Sequence, residues 1–207
     1  METLSGHWDK IFRKTADHKL GWYENDFSQT LKFLNRIRGW KQARIFMPGA
    51  GTSGLIGELM QTNATLVLND LSPEAIALAK KKYGGKKENL RWLCLDISEP
   101  LPEELHNTID IWVDRAVLHF LVEDSKVEKY FKNVHTLVKP GGHVILAEFS
   151  KKGATKCAGL NVRRYNVEDL KNNMVAFELI AEEEYIYTNP GGEPRPYIYT
   201  LFQKRST

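Results

Sequence analysis

Apolar positions along the chain change rhythm several times, and each change predicts an element. Ala43-Arg-Ile-Phe-Met-Pro48 is a short β-rich run closed by glycines. Leu55, Ile56, Leu59 and Met60 then recur at helical spacing. Thr65–Asn69 returns to a strand pattern. Ser72 as N-cap, Pro73 at the first helical position and Gly84 as the stop frame the next helix. Leu90–Leu95 and Ile109–Val113 predict a third and a fourth strand. Val127, Phe131, Val134 and Val138 mark one helix face that ends at Lys139-Pro-Gly-Gly142, and His143–Ala147 supplies the fifth strand. This βαβαβ alternation with short crossovers predicts an α/β, doubly wound, Rossmann-like parallel sheet with helices on both faces.

The end of the pattern differs. Phe177–Tyr187 and Tyr197–Phe202 are strand-like and are joined by Asn189-Pro-Gly-Gly-Glu-Pro-Arg-Pro196, which is turn chemistry throughout. A C-terminal antiparallel hairpin follows, making the sheet mixed. Without repeats or a linker, residues 1–207 read as a single domain, with 1–40 a lid-like extension and 41–207 the core.

Composition narrows the function. Hydrophobic residues make up 42% and charged residues 27%, as in a soluble globular protein. The net charge of +3 is too small and too dispersed for a nucleic-acid face. The basic run Lys80-Lys-Lys82 with Lys86-Lys87 falls at a helix end, where it complements the dipole. Met1–Lys10 has no apolar core of a signal peptide, and no stretch reaches the roughly 18 apolar residues of a membrane span. The cysteines, Cys94 and Cys157, are too few for a disulfide framework or a zinc site, and Cys94 reads as a core strand residue. These features predict a cytoplasmic protein with no metal, membrane or nucleic-acid partner.

Gly49, Gly51 and Gly54 follow a strand and open a helix, where a tight turn and bare amides suit a nucleotide. Asp70, ending the next strand, can accept from both ribose hydroxyls. An NAD-dependent oxidoreductase is one reading of that pattern. The residues after Glu148, however, supply no second mononucleotide half, and Asp96 is placed to accept from an adenine amine with Ile97 beside the ring.

The ordered set Gly49-Ala-Gly-Thr-Ser-Gly54, Asp70-Leu-Ser-Pro-Glu-Ala75, Leu95-Asp-Ile97, Ile111-Trp-Val-Asp-Arg115 and Leu137-Val-Lys-Pro-Gly-Gly142 resembles class I S-adenosylmethionine (SAM)-dependent methyltransferases over about residues 43–150. The resemblance implies a seven-stranded sheet whose last strand is inserted antiparallel. It also implies SAM bound by Gly49, Ala50, Gly51, Thr52, Asp70, Leu71, Asp96 and Ile97. One departure is Met47, where the family usually carries an acid that orients the methionine end of SAM.

Side chains after the fourth strand should face the reacting end. Asp114 could accept from the SAM amino group, with Arg115 on the SAM carboxylate; alternatively the two form a structural ion pair. His119 is the candidate general base, or else a structural histidine near the cleft rim. Trp8 and Trp22, in His7-Trp-Asp-Lys10 and Leu20-Gly-Trp-Tyr-Glu24, can close over an adenosyl group or merely cap the sheet edge. This stretch is similar to the lids of thiopurine methyltransferase-like enzymes and to the start of METTL-type lysine methyltransferases. Arg163, Arg164 and Tyr165, in a loop expected to overhang the methyl group, are candidate acceptor-binding residues, and Cys157 reads as an inert thiol. The expected activity is methyl transfer to a small thiol, amine or hydroxyl. Methylation of a protein lysine, and SAM binding without catalysis, are the alternatives.

Overall fold

A computed structural model describes residues 3–84 and 88–206; Lys86 and Lys87 of the basic run lie outside the described residues. Its centre is a seven-stranded sheet in the order β3-β2-β1-β4-β5-β9-β8. Strands β1 (Arg44–Met47), β2 (Thr65–Asn69), β3 (Leu90–Leu93), β4 (Ile109–Arg115) and β5 (Val138–Phe149) run parallel. β9 (Pro194–Lys204) enters antiparallel between β5 and β8 (Phe177–Thr188), so the terminal hairpin is part of the main sheet. A separate small hairpin joins β6 (Lys156–Cys157) to β7 (Leu160–Asn161).

Helices α3 (Leu55–Leu59), α4 (Pro73–Tyr83), α5 (Asp124–Leu137) and α6 (Val167–Asn173) flank this sheet, with α1 (Leu4–Lys14) and α2 (Ser28–Leu34) preceding it. The α4 frame is as its sequence dictates: the Ser72 side chain accepts from Ala75 N, Pro73 is first and Gly84 ends it. Two elements depart from their patterns. Val138 already pairs with Ile109, and the chain bulges over Lys139–Gly142 before pairing resumes at Ile111↔His143. Cys94 falls just beyond β3 and is exposed, because the strand stops at Leu93, two residues short of the end of its apolar run.

Alternation along β4 sorts its side chains between two cores. Ile111 and Val113 join the core shared with β1, β2 and Tyr187, Tyr197 and Tyr199 of the hairpin. Trp112 joins the core against α5, with Tyr130 and Phe131. Because successive strand side chains point to opposite faces, Asp114 and Arg115 must also part company. The order reverses between β1 and β4, the switch point of such a sheet, and ligand crevices form at the carboxyl ends there.

Candidate functional site

The roof over those strand ends is the N-terminal extension. Asp9 of α1 accepts from Ser72 Oγ at 2.5 Å and Glu74 N at 3.0 Å, which places a carboxylate at the positive end of α4. Phe12 and Leu20 bury against Ala75 of α4. Trp8 meets Trp22 at 5.6 Å and Phe120 at 4.8 Å, both edge-to-face. The lid therefore docks on α4, and its rings hang over the sheet end rather than along the sheet edge.

Under it lie two adjoining cavities that share Trp22, Gly49 and Arg115. The larger is lined by Asp70, Leu71, Asp96 and Ile97, by Phe120, Phe149, Cys157 and Tyr197, and by Trp8, Phe12 and His119. The smaller is bounded by Ala50 and Thr52 of the glycine loop, by Met47, and by Tyr23 and Glu24 of the lid.

Gly49 and Gly51 both hold positive φ, +50° and +49°. Protein neighbours constrain them too: a Cβ at Gly49 would lie 2.3 Å from Val117 Cγ2, and one at Gly51 would lie 3.1 Å from Phe12 Cζ. Asp70 accepts Gly51 N and Ser72 N, each at 2.9 Å, and burial raises its carboxyl to about 6. A carboxylate has further lone pairs, so these bonds orient Asp70 without exhausting it. Asp96 Oδ1 is fixed by Ser98 N and Oγ at 2.8 and 2.7 Å. Thr52 Oγ1 donates to Asp17 at 2.8 Å, which ties the loop to the lid.

Arg115 is buried. It forms an ion pair with Glu24 at 2.8 Å and donates to Trp22 O at 3.0 Å. Its guanidinium carbon stands 4.8 Å from the Tyr187 ring centre and 5.5 Å from that of Tyr197. Burial pushes the Glu24 carboxyl up, while Arg115 pulls it back down.

Asp114 contradicts the role expected for it. Its carboxylate is fully buried and lines neither cavity; it accepts from Val117 N at 3.0 Å, Leu118 N at 3.1 Å and Tyr130 Oη at 2.5 Å. The left-handed Ala116, φ +69°, folds the chain so that those two amides point back at it. Nor does it pair with Arg115, which faces the other side. His119 sits in a 3₁₀ turn, its ring stacked on Phe149 at 4.5 Å and its Nδ1 2.9 Å from Glu148. Burial lowers this imidazole to about 3 and raises Glu148 to about 8, so the pair is neutral near pH 7.

The acceptor-binding trio is also misplaced. Arg163 pairs with Asp124 at 2.5 Å, and Arg164 donates to Lys151 O at 2.8 Å, closing its own loop. Tyr165 is core, its backbone N bonded to Phe149 O at 2.8 Å. None of the three reaches either cavity. Cys157, by contrast, stands on the cavity wall, and burial raises its thiol and keeps it protonated. Sequence reasoning passed over Phe12, Glu24, Phe120, Phe149 and Tyr197. Glu24 lies inside the aromatic Trp22-Tyr23-Glu24 run, which was the one local signal for it.

Residues 46–146 match the family model described as "Methyltransferase domain". Phosphoethanolamine N-methyltransferase 1 of Triticum aestivum is 28% identical over 110 residues, covering 52% of this chain and 22% of that protein. The chain thus spans less than a quarter of that relative's length. Among solved structures, a SAM-dependent methyltransferase from Anabaena variabilis superposes with TM-score 0.79 at 17% identity, over 97% of this chain and 93% of that one. The Burkholderia thailandensis 1,6-didemethyltoxoflavin-N1-methyltransferase, solved with 1,6-didemethyltoxoflavin and S-adenosylhomocysteine bound, gives TM-score 0.63 at 19% identity, over 79% and 72%. At these identities the likeness is one of fold. No described helix is long and apolar enough to cross a membrane.

Proposed function

We propose that this chain, a SAM-dependent methyltransferase, methylates a small and largely apolar molecule bearing a nitrogen, sulfur or oxygen nucleophile. The observation that carries this reading is the aromatic chamber. Trp8, Phe120, Phe149 and Tyr197 all line the larger cavity, and with His119 they form a continuous chain of ring contacts at 4.5 to 5.0 Å. Such a chamber suits a compact acceptor engulfed whole.

The residues fit the cofactor. Asp70 and Asp96 face one cavity with lone pairs to spare, and Arg115 Nε is buried without a partner among the described residues. In this reading Asp70 holds the ribose, Asp96 and Ile97 the adenine, and Gly49, Ala50, Gly51 and Thr52 form the floor. When bound, the cofactor supplies an activated methyl on a sulfonium. Trp8 and Trp22 exclude water from the chamber and favour positive charge. His119 is neutral and therefore orients the acceptor by a hydrogen bond. As a base it is weak, because burial disfavours its protonated form.

The test is a screen of fractionated small molecules and of protein with methyl-labelled SAM, following S-adenosylhomocysteine release. Label in a small molecule is expected, and label confined to protein lysine would overturn the reading. Asp70→Ala should weaken S-adenosylhomocysteine binding by about 1–3 kcal/mol. Unchanged affinity by calorimetry would remove Asp70 from the site.

A further inference from the structure

The smaller cavity contains a charged pair that ties the lid to the end of β4. Glu24 and Arg115 approach to 2.8 Å with their side chains only 10% and 13% exposed, and both line this cavity. Bringing two charges out of water costs several kcal/mol per ion, so a pair of this kind is seldom retained for stability alone. Its hydrogen bonding is also incomplete, since Arg115 Nε has no partner among the described residues. Met47 shares the cavity and offers no charge. The result is one carboxylate and one guanidinium side by side on the lining of a cavity that shares Trp22, Gly49 and Arg115 with the larger one. That charge pattern complements an α-amino acid zwitterion, with ammonium to carboxylate and carboxylate to the planar guanidinium fork.

We infer that Glu24 and Arg115 together receive the amino-acid end of the cofactor, Glu24 accepting from its α-ammonium and Arg115 donating to its α-carboxylate. This rests on SAM as the cofactor. Glu24 supplies from the lid the carboxylate that position 47 lacks, and Tyr187 and Tyr197 hold the guanidinium in place from behind. The lid is then a part of the cofactor site as well as a cover.

Calorimetry on the intact chain tests this. S-adenosylhomocysteine, its deaminated analogue and 5′-methylthioadenosine, which lacks the amino-acid end, are titrated into the wild type and Glu24→Gln. The wild type should bind S-adenosylhomocysteine at least tenfold more tightly than either of the other two. Glu24→Gln should narrow that gap by losing S-adenosylhomocysteine affinity while keeping that for 5′-methylthioadenosine within about threefold. Equal binding of S-adenosylhomocysteine and its deaminated analogue by the wild type would overturn the inference and needs no variant to fold. So would a Glu24→Gln variant that weakens all three ligands alike. Failure of the wild type to bind S-adenosylhomocysteine or 5′-methylthioadenosine at all would instead overturn the cofactor assignment beneath it.

Discussion

Asp114 and Arg115 are neighbours in sequence, and the two faces of β4 give them unlike surroundings. Arg115 meets a carboxylate, a carbonyl and two tyrosine rings beside a cavity, with a guanidinium nitrogen left over. Asp114 meets three donors in a dry core and lies apart from both cavities. Both are charged side chains largely withdrawn from water, yet only the first lines the cavities and keeps a nitrogen without a partner among the described residues. Burial alone therefore does not separate the proposed site residue from the structural one; unspent hydrogen bonding beside a cavity does.

The comparison can be broken most forcefully at Asp114. Asp114→Ala leaves two amides and the Tyr130 hydroxyl without their acceptor, and should lower unfolding stability by about 3 kcal/mol. Urea denaturation measures that loss, and the folded fraction should bind S-adenosylhomocysteine within about twofold of the wild type. Lost binding with unchanged stability would exchange the roles of the two faces.

A smaller effect should come from Glu148, which lies under the cavity floor with His119. Folding raises this carboxyl from 4.5 to about 8, so the folded chain keeps a proton that the unfolded chain releases. Stability from this group is full below 4.5 and is lost as pH rises towards 8. His119, lowered from 6.5 to about 3, has the opposite sign and offsets the loss up to 6.5. The uncompensated window is thus pH 6.5 to 8. Across it the wild type should lose roughly 2 kcal/mol more than Glu148→Gln, at about 1.4 kcal/mol per pH unit. Parallel stability curves for the two proteins would show that Glu148 is already ionised.

The smallest effect is expected at Arg163. Its ion pair with Asp124 is solvent-exposed, so Arg163→Ala should change stability by less than about 1 kcal/mol and leave the KM for an identified acceptor unchanged. A large rise in KM would return that loop to the site.

The fold was largely legible because its signals are local and periodic. The α4 frame of Ser72, Pro73 and Gly84, the strand pattern at Thr65–Asn69 and the turn-rich connector at Asn189–Pro196 each act over a few residues. Side-chain placement was less legible. A single residue of strand register decides whether position 114 or 115 faces the cavity, and the sequence run Asp114-Arg115 is compatible with either. Arg163 and Arg164 looked available because Asp124 lies 39 residues upstream of the first, and the partner of the second is a backbone carbonyl, that of Lys151, which no residue type announces. Glu148 gave one hint, a charge at the end of an apolar strand, but nothing nearby pointed to His119.

The tyrosines behind Arg115 have a consequence for how the protein assembles. Tyr187 and Tyr197 come from the terminal hairpin, Arg115 from mid-chain and Glu24 from before the first strand, while the Tyr187 hydroxyl donates to Tyr23 O. Contacts so widely separated in sequence pay the largest loop-closure entropy and form among the slowest. During synthesis, residues 44–115 can lay down β1 to β4 long before this box exists. In the proposed site, ligand-binding competence is therefore a late event in folding, following the entry of β9 between β5 and β8.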